Sequence, residues 1–125
     1  MMKYHQNACR AILAHYGEKS QIVKTIEELS ELIKALSKVA VAGILISENK
    51  ERNASIIEEI ADCKIMLAQL EEIIETRGHS KALAGQINYK VGRTLEQINQ
   101  ENSYTEAGGH DENINMRESL LRAPS

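Results

Sequence analysis

Two acidic turns carry the chemistry open to this chain. Glu27 to Glu31 reads EELSE, and Glu58 to Asp62 reads EEIAD. Each sets two carboxylates three residues apart, Glu28 with Glu31 and Glu59 with Asp62. Residues at that spacing neighbour one another on a helix surface. If the two helices pack antiparallel, four carboxylates converge on one point. Like charges so close repel unless a cation compensates them. A hard divalent ion is the natural counter-charge, and Mg²⁺ takes oxygen ligands and shares them with phosphates. The pattern predicts a metal-dependent enzyme acting on a phosphate ester or anhydride, with Mn²⁺ able to replace Mg²⁺.

The elements that must hold these acids are helical. Leu, Ile, Ala, Glu and Lys dominate, and the single proline is Pro124, so nothing interrupts a helix before the last residues. Four helices are predicted. The first spans about Lys3 to Tyr16 and stops at Gly17. The second starts near Ser20 as N-cap and runs to about Ala42, before Gly43. Its stripe is Ile22, Ile26, Leu29, Ile33, Leu36 and Ala40, at the three- and four-residue steps of an amphipathic helix. A polar connection, Ser47 to Asn53, leads to a third helix opened by a Ser55–Glu58 capping box. That helix carries Ile56, Ile60, Cys63, Leu67, Leu70 and Ile74 and ends at Gly78. The fourth spans about Ser80 to Asn99, with Gly85 and Gly92 offering close packing. From Gln100 the pattern decays toward a flexible tail, within which Asn115 to Arg122 form one last short helix. The domain reading is a helical catalytic domain over 1–100 and a flexible or weakly helical tail over 101–125.

Composition bounds the rest. The chain has 125 residues, enough for one domain with its own core. That core is aliphatic, because Trp and Phe are absent and Tyr occurs four times. A net charge of −3 gives no footprint for a nucleic-acid polymer. The longest apolar run, Val39 to Ile46, is too short for a bilayer. The opening MMKYHQNACR lacks the apolar centre of a signal peptide, so a cytoplasmic setting is expected. Cys9 and Cys63 have no CxxC spacing and are expected as buried free thiols. His5, His15, His79 and His110 fit no ligand spacing and are expected at the surface or at helix ends.

Acidic runs usually mark a wet helix face, and two observations weigh against that reading. At about 100° per residue, Glu59 lies roughly 60° from the centre of its helix's apolar stripe and Asp62 roughly 120° from it, on the same side. Acids that border an apolar stripe are costly unless compensated. Glu28 flanks Leu32 and Val39, whereas Glu31 points almost opposite its main stripe, so the second helix needs a further partner there. The second observation is NYKVGR, where Lys90 and Arg93 share a helical face that could meet a polyphosphate.

These residues resemble the all-α nucleoside triphosphate pyrophosphohydrolases, the MazG-like group, particularly the small single-domain forms of phages and bacteria. That family carries an ExxE pair on one helix and an ExxD pair on the next. Glu28 and Glu31 fill the first pair, and Glu59 and Asp62 fill the second. The flanking text also matches, in YGEKSQIVKTIEELSELIKALSK and NASIIEEIADCKIMLAQLEEII. The similarity covers about residues 4 to 99. The chain departs at Gln97, where small relatives carry another Arg, and it lacks the aromatic residues that stack on the base in some members, apart from its tyrosines.

The resemblance implies an all-α antiparallel bundle of about four helices, completed by dimerisation or pairing of dimers. It implies hydrolysis of an NTP or dNTP to the nucleoside monophosphate and pyrophosphate. A Mg²⁺ cluster held by Glu28, Glu31, Glu59 and Asp62 would polarise phosphoryl oxygens and acidify a bound water. Lys90 and Arg93 would offset phosphate charge. Tyr16 and Tyr89 are candidates for a base pocket, against the alternative of core tyrosines with bonded hydroxyls. The competing class is non-enzymatic, a helical interaction or nucleotide-binding regulatory module in which the same acids are surface. Homo-oligomerisation is expected on independent grounds. Val23, Leu32 and Val39, and Ile57, Ile65 and Met66, add apolar surface outside the main stripes, and helices apolar over most of their circumference need cover on more than one side.

Overall fold

Glycine closes two of the helices, and the aliphatic, Glu- and Lys-rich text of the described residues is helical almost throughout. The computed structural model describes residues 5–42 and 50–106. Within them lie α1 (Gln6–Tyr16), α2 (Glu18–Ala42), α3 (Lys50–Thr76) and α4 (Ser80–Glu106). No strand occurs among the described residues, and no helix is long and apolar enough to cross a membrane. The all-α class expected from composition is therefore observed.

A single residue, Gly17, joins α1 to α2. Its φ of 86° and ψ of 157° lie in a region open essentially to glycine alone. Its N–H closes α1 on the Leu13 carbonyl at 2.8 Å, and its own carbonyl accepts from Gln21 at 3.1 Å as α2 begins. The chain reverses so sharply that α2 starts at Glu18, and Ser20 falls inside its first turn rather than at the cap. Glu18 there suits the positive end of the helix. The end of α3 is a Schellman motif. His79 N–H reaches Ile74 O at 3.0 Å, Gly78 N–H reaches Glu75 O at 2.9 Å, and Gly78 takes a φ of 78°.

Other boundaries shift for propensity reasons. α3 begins at Lys50, so Ser55 and Glu58 lie inside it and form no capping box at its start. The sequence KERNAS holds no glycine or proline to stop a helix, and it extends upstream of the expected cap. Likewise α4 continues past Asn99 to Glu106. The flexible tail expected from Gln100 is helical as far as Glu106, while the expected start at Lys3, the break at Gly43, and the rest of the tail with its Asn115 to Arg122 helix lie outside the described residues.

The chain divides after His79 into two compact units, α1 to α3 and a second beginning at Ser80. In the first, α2 and α3 form an antiparallel hairpin. Cys63 meets Glu28 near one level, while Ser55 and Ile56 line one groove with Ala35 and Lys38 at another. Each arm is roughly 40 Å long at 1.5 Å per residue. The faces in contact differ from the expected stripes. On α2, Gln21, Thr25 and Val39 are buried and Glu28, Leu32 and Ala35 half-buried, whereas Ile22, Ile26, Leu29, Ile33 and Leu36 are exposed. The strongest apolar stripe of α2 is thus an outer face. On α3 the expected stripe splits. Ile56 and Cys63 are buried, Leu70 is half-buried, and Ile60, Leu67 and Ile74 are exposed. Met66 and Ile73 complete the inner seam.

α1 is clamped to α3 by a buried polar group. Glu72, 1% exposed, accepts from Gln6 Nε2 at 2.8 Å and Arg10 Nε at 2.7 Å. These bonds hold its carboxyl below the usual carboxylate range, against the opposing effect of burial. Arg77, just past the end of α3, pairs with Glu18 of α2 at the same end. In the second unit, α4 has no buried residue. A Cβ added at Gly85 or Gly92 would meet nothing within 4 Å, so neither glycine serves the close packing expected of it.

Candidate functional site

The hairpin register brings the two acidic turns together. One carboxylate oxygen each from Glu28, Glu59 and Asp62 lies within 4.8 Å of the others, and all three residues are half-buried. Glu28 belongs to the inner seam of α2. Glu59 and Asp62 come from consecutive turns of α3. Burial pushes the Glu59 carboxyl upward, and the charges of Glu31, Asp62, Glu28 and Glu58 push it further. Glu31, exposed on α2, is thereby coupled to the cluster and shares a groove with Glu59. The expectation that Glu31 needs a further partner is corrected, because α3 itself occupies that flank.

The donor set fits a hard divalent cation. An octahedral Mg²⁺ with bonds of about 2.1 Å spaces its ligands roughly 3 to 4.2 Å apart. Oxygens within 4.8 Å reach that spacing through small side-chain rotations. Burial, together with the charges of Glu28, Glu59 and Asp62, pushes the Cys63 thiol up. Its Sγ donates to the Glu28 backbone carbonyl at 3.3 Å, tying α3 to α2 behind the carboxylates. Cys9 and Cys63 are both buried and free, as expected.

Sequence reasoning missed the cations of α2. Lys24 Nζ lies 2.7 Å from Glu28 Oε1 and 3.4 Å from Glu27 Oε2. The Glu28 hydrogen bond raises the Lys24 ammonium pKa. On the other side of the carboxylates a groove of about 120 Å³ is lined by Glu31, Lys34, Ala35, Lys38, Ser55, Ile56 and Glu59. Among the described residues, neither Lys34 nor Lys38 is held in an ion pair. The available signal was position, since Lys34 and Lys38 follow Glu31 at three and seven residues and so share its face.

The remaining expected site residues belong to α1 and α4. Tyr16 is exposed at the end of α1, edge-on to His15 with ring centroids 4.7 Å apart. It is not a core tyrosine. Tyr89, Lys90 and Arg93 are exposed on α4, in the second unit. There the Arg93 guanidinium lies over the Tyr89 ring at 5.9 Å, within the range of a cation–π contact.

Comparison of the chain with protein-family models, with curated proteins and with solved structures finds no match.

Proposed function

We propose that this chain is a Mg²⁺-dependent nucleoside triphosphate pyrophosphohydrolase of the MazG-like kind, cleaving an NTP or dNTP to nucleoside monophosphate and pyrophosphate. The observation that carries the reading is the convergence of Glu28, Glu59 and Asp62 from two helices, with Glu31 coupled to Glu59. That convergence is what the paired acidic turns require if they do chemistry. A merely solvated acidic face would splay its carboxylates into water.

Glu28, Glu59 and Asp62 would hold Mg²⁺ or Mn²⁺, with Glu31 at the groove side. Bound there, the ion supplies charge neutralisation for the phosphates and a water of lowered pKa. In the overall reaction the oxygen of one water forms a new P–O bond, and the α–β anhydride bond breaks. The bridging oxygen leaves with one product, and one carboxylate takes the water's proton. Glu31, the most exposed of the four, is the candidate base. Lys90 and Arg93 enter this reading through the family resemblance alone, as phosphate-binding residues. Tyr16 and Tyr89 enter as base-stacking candidates, and their exposed rings support that role.

The same reading includes a homodimer or a pair of dimers, and a cytoplasmic protein with no nucleic-acid polymer as partner. Each exposed stripe is the inner seam moved on by one residue, a rotation of about 100°. Because α2 and α3 run antiparallel, that rotation turns both stripes to the same side of the hairpin. Glu31 lies on the opposite side. A second hairpin on the apolar side would complete a four-helix bundle and leave the groove open.

One observation favours a second reading. The exposed stripe of α2, from Ile22 to Leu36, suits a helical interaction module without catalysis. A panel of NTPs and dNTPs with Mg²⁺, its products resolved by chromatography, separates the two. Metal-dependent release of pyrophosphate is the expected result. Orthophosphate as the product rules out α–β cleavage, and no turnover of any nucleotide leaves the interaction module.

A further inference from the structure

The groove beside the carboxylates is bounded by two lysines that no part of the metal cluster uses. Lys34 and Lys38 line it together with Glu31 and Glu59. They sit about 4.5 and 10.5 Å beyond Glu31 along the helix axis at 1.5 Å per residue, and all three share one face. Two ammonium groups one turn apart, opening beside a carboxylate cluster, form a gradient from a cation-binding end to an anion-binding end. The other direction along α2 offers no such gradient. Lys24 is already bonded to Glu28, and the neighbouring Thr25 and Gln21 are buried and uncharged. A polyphosphate bridging the carboxylates through a metal ion therefore meets, on the groove side, the two lysines that line the groove with Glu31 and Glu59.

We propose that Lys34 and Lys38 form the pyrophosphate subsite, holding the two terminal phosphates of the substrate and then the pyrophosphate product. This rests on the metal-dependent hydrolase reading and gives the substrate a polarity within it. The terminal phosphates lie toward the C-terminal end of α2, and the nucleoside lies toward its N-terminal end. The chemistry matches the placement, since negative charge builds on the leaving pyrophosphate as the anhydride bond breaks. Ser55, across the groove on α3, offers a hydroxyl donor to the same oxygens.

The test is calorimetric titration of inorganic pyrophosphate into the Mn²⁺-loaded full chain. The set is wild type, Lys34→Gln, Lys38→Gln, the double variant, and Lys64→Gln as a charge control. Lys64 is exposed on α3, among the outer residues Ile60 and Leu67. All five should fold, since the lysines are exposed and Gln has similar helix propensity. Each groove variant is expected to weaken pyrophosphate binding about 3- to 10-fold and the double about 10- to 100-fold, as loss of charge-assisted contacts does. Lys64→Gln should change it less than about 2-fold, by screening, and Mn²⁺ affinity should hold across the set. Pyrophosphate that fails to bind wild type, or binds the double variant as tightly as Lys64→Gln, overturns the subsite. Nucleotide turnover on the same samples reports separately. Turnover with lysine-independent pyrophosphate binding removes only the subsite, and lysine-dependent binding without turnover removes only the hydrolase.

Discussion

The ammonium of Lys24 lies 2.7 Å from Oε1 of Glu28, the one carboxylate of the three-residue cluster that α2 supplies. A cation of the protein thus competes with any cation from solution for the same oxygen. The pair sits four residues apart on one helix and its lysine is half open to water, so it is weak enough to exchange. Lys24→Gln should therefore tighten Mn²⁺ binding several-fold, on the order of the change expected when a like charge leaves a partly screened site. Titration monitored by the loss of free Mn²⁺ signal checks this. Unchanged or weaker affinity in the variant would show that Glu28 is not a ligand.

The carboxylates themselves should behave as chemistry rather than scaffold. Glu28→Gln, Glu31→Gln, Glu59→Gln and Asp62→Asn are each expected to lower turnover at least ~100-fold. Glu59 adds a pH signature. Its carboxyl is raised, first by burial and then by its acidic neighbours. A raised acid binds more protons folded than unfolded, so its contribution is fully present below the unfolded value of about 4.3 and is lost as pH rises through the folded value. Metal-free Glu59→Gln should melt higher than wild type at neutral pH and converge with it in acid. Melting curves in chelator across that range test the sign. A collapse of the metal-free fold in these variants would make the acids structural.

Glu72 carries the opposite dependence. Hydrogen bonds from Arg10 and Gln6 hold its carboxyl low, so its contribution is present above the unfolded value and lost as pH falls through the folded one. Glu72→Gln should cost about 1–3 kcal/mol near neutrality, as loss of charged hydrogen bonds does. The deficit should vanish in acid. It should also loosen α1, which only this cluster and a few packed side chains such as Cys9 hold against α3. Denaturant unfolding at several pH values checks the size, and hydrogen exchange along 6–16 checks the place.

The acids were legible because their spacing is strict and their types are uncommon beside an apolar stripe. The register that joins them was legible from the same spacing, given an antiparallel hairpin. The inner seam of α2 was not. Gln21, Thr25 and Glu28 precede Leu32, Ala35 and Val39 there, so half its positions are polar. Periodicity selects the most apolar face, and on α2 that is the outer one. Lys34 and Lys38 carried only a positional signal, their shared face with Glu31, and lysine on a helix rich in Glu and Lys is otherwise ordinary composition. The start of α3 was misplaced for a related reason. A capping pair at Ser55 and Glu58 competes with a helix-forming run just upstream, and the run prevails.

The outer face of the hairpin gives the last prediction. Ile26 is 62% exposed and Ile33 65%, at the centre of a stripe whose seven-residue repeat is that of a helix–helix seam. Ile60, Leu67 and Ile74 continue the apolar surface on α3, turned to the same side by the antiparallel register. Leaving such a surface in water is costly at about 25 cal/mol per Å², and a second copy of the hairpin is the cover that matches it in length and pattern. Light scattering coupled to size exclusion at micromolar concentration should give a multiple of the 14.0 kDa chain mass. Ile26→Glu with Ile33→Glu should bring the species to the single-chain mass while leaving helicity in place, because neither residue belongs to the inner seam. The carboxylates and the groove open on the other side, so Mn²⁺ affinity should survive the dissociation to within a few-fold. A wild-type chain that is stable and active as a monomer would leave the apolar face without its partner and defeat this account of the assembly.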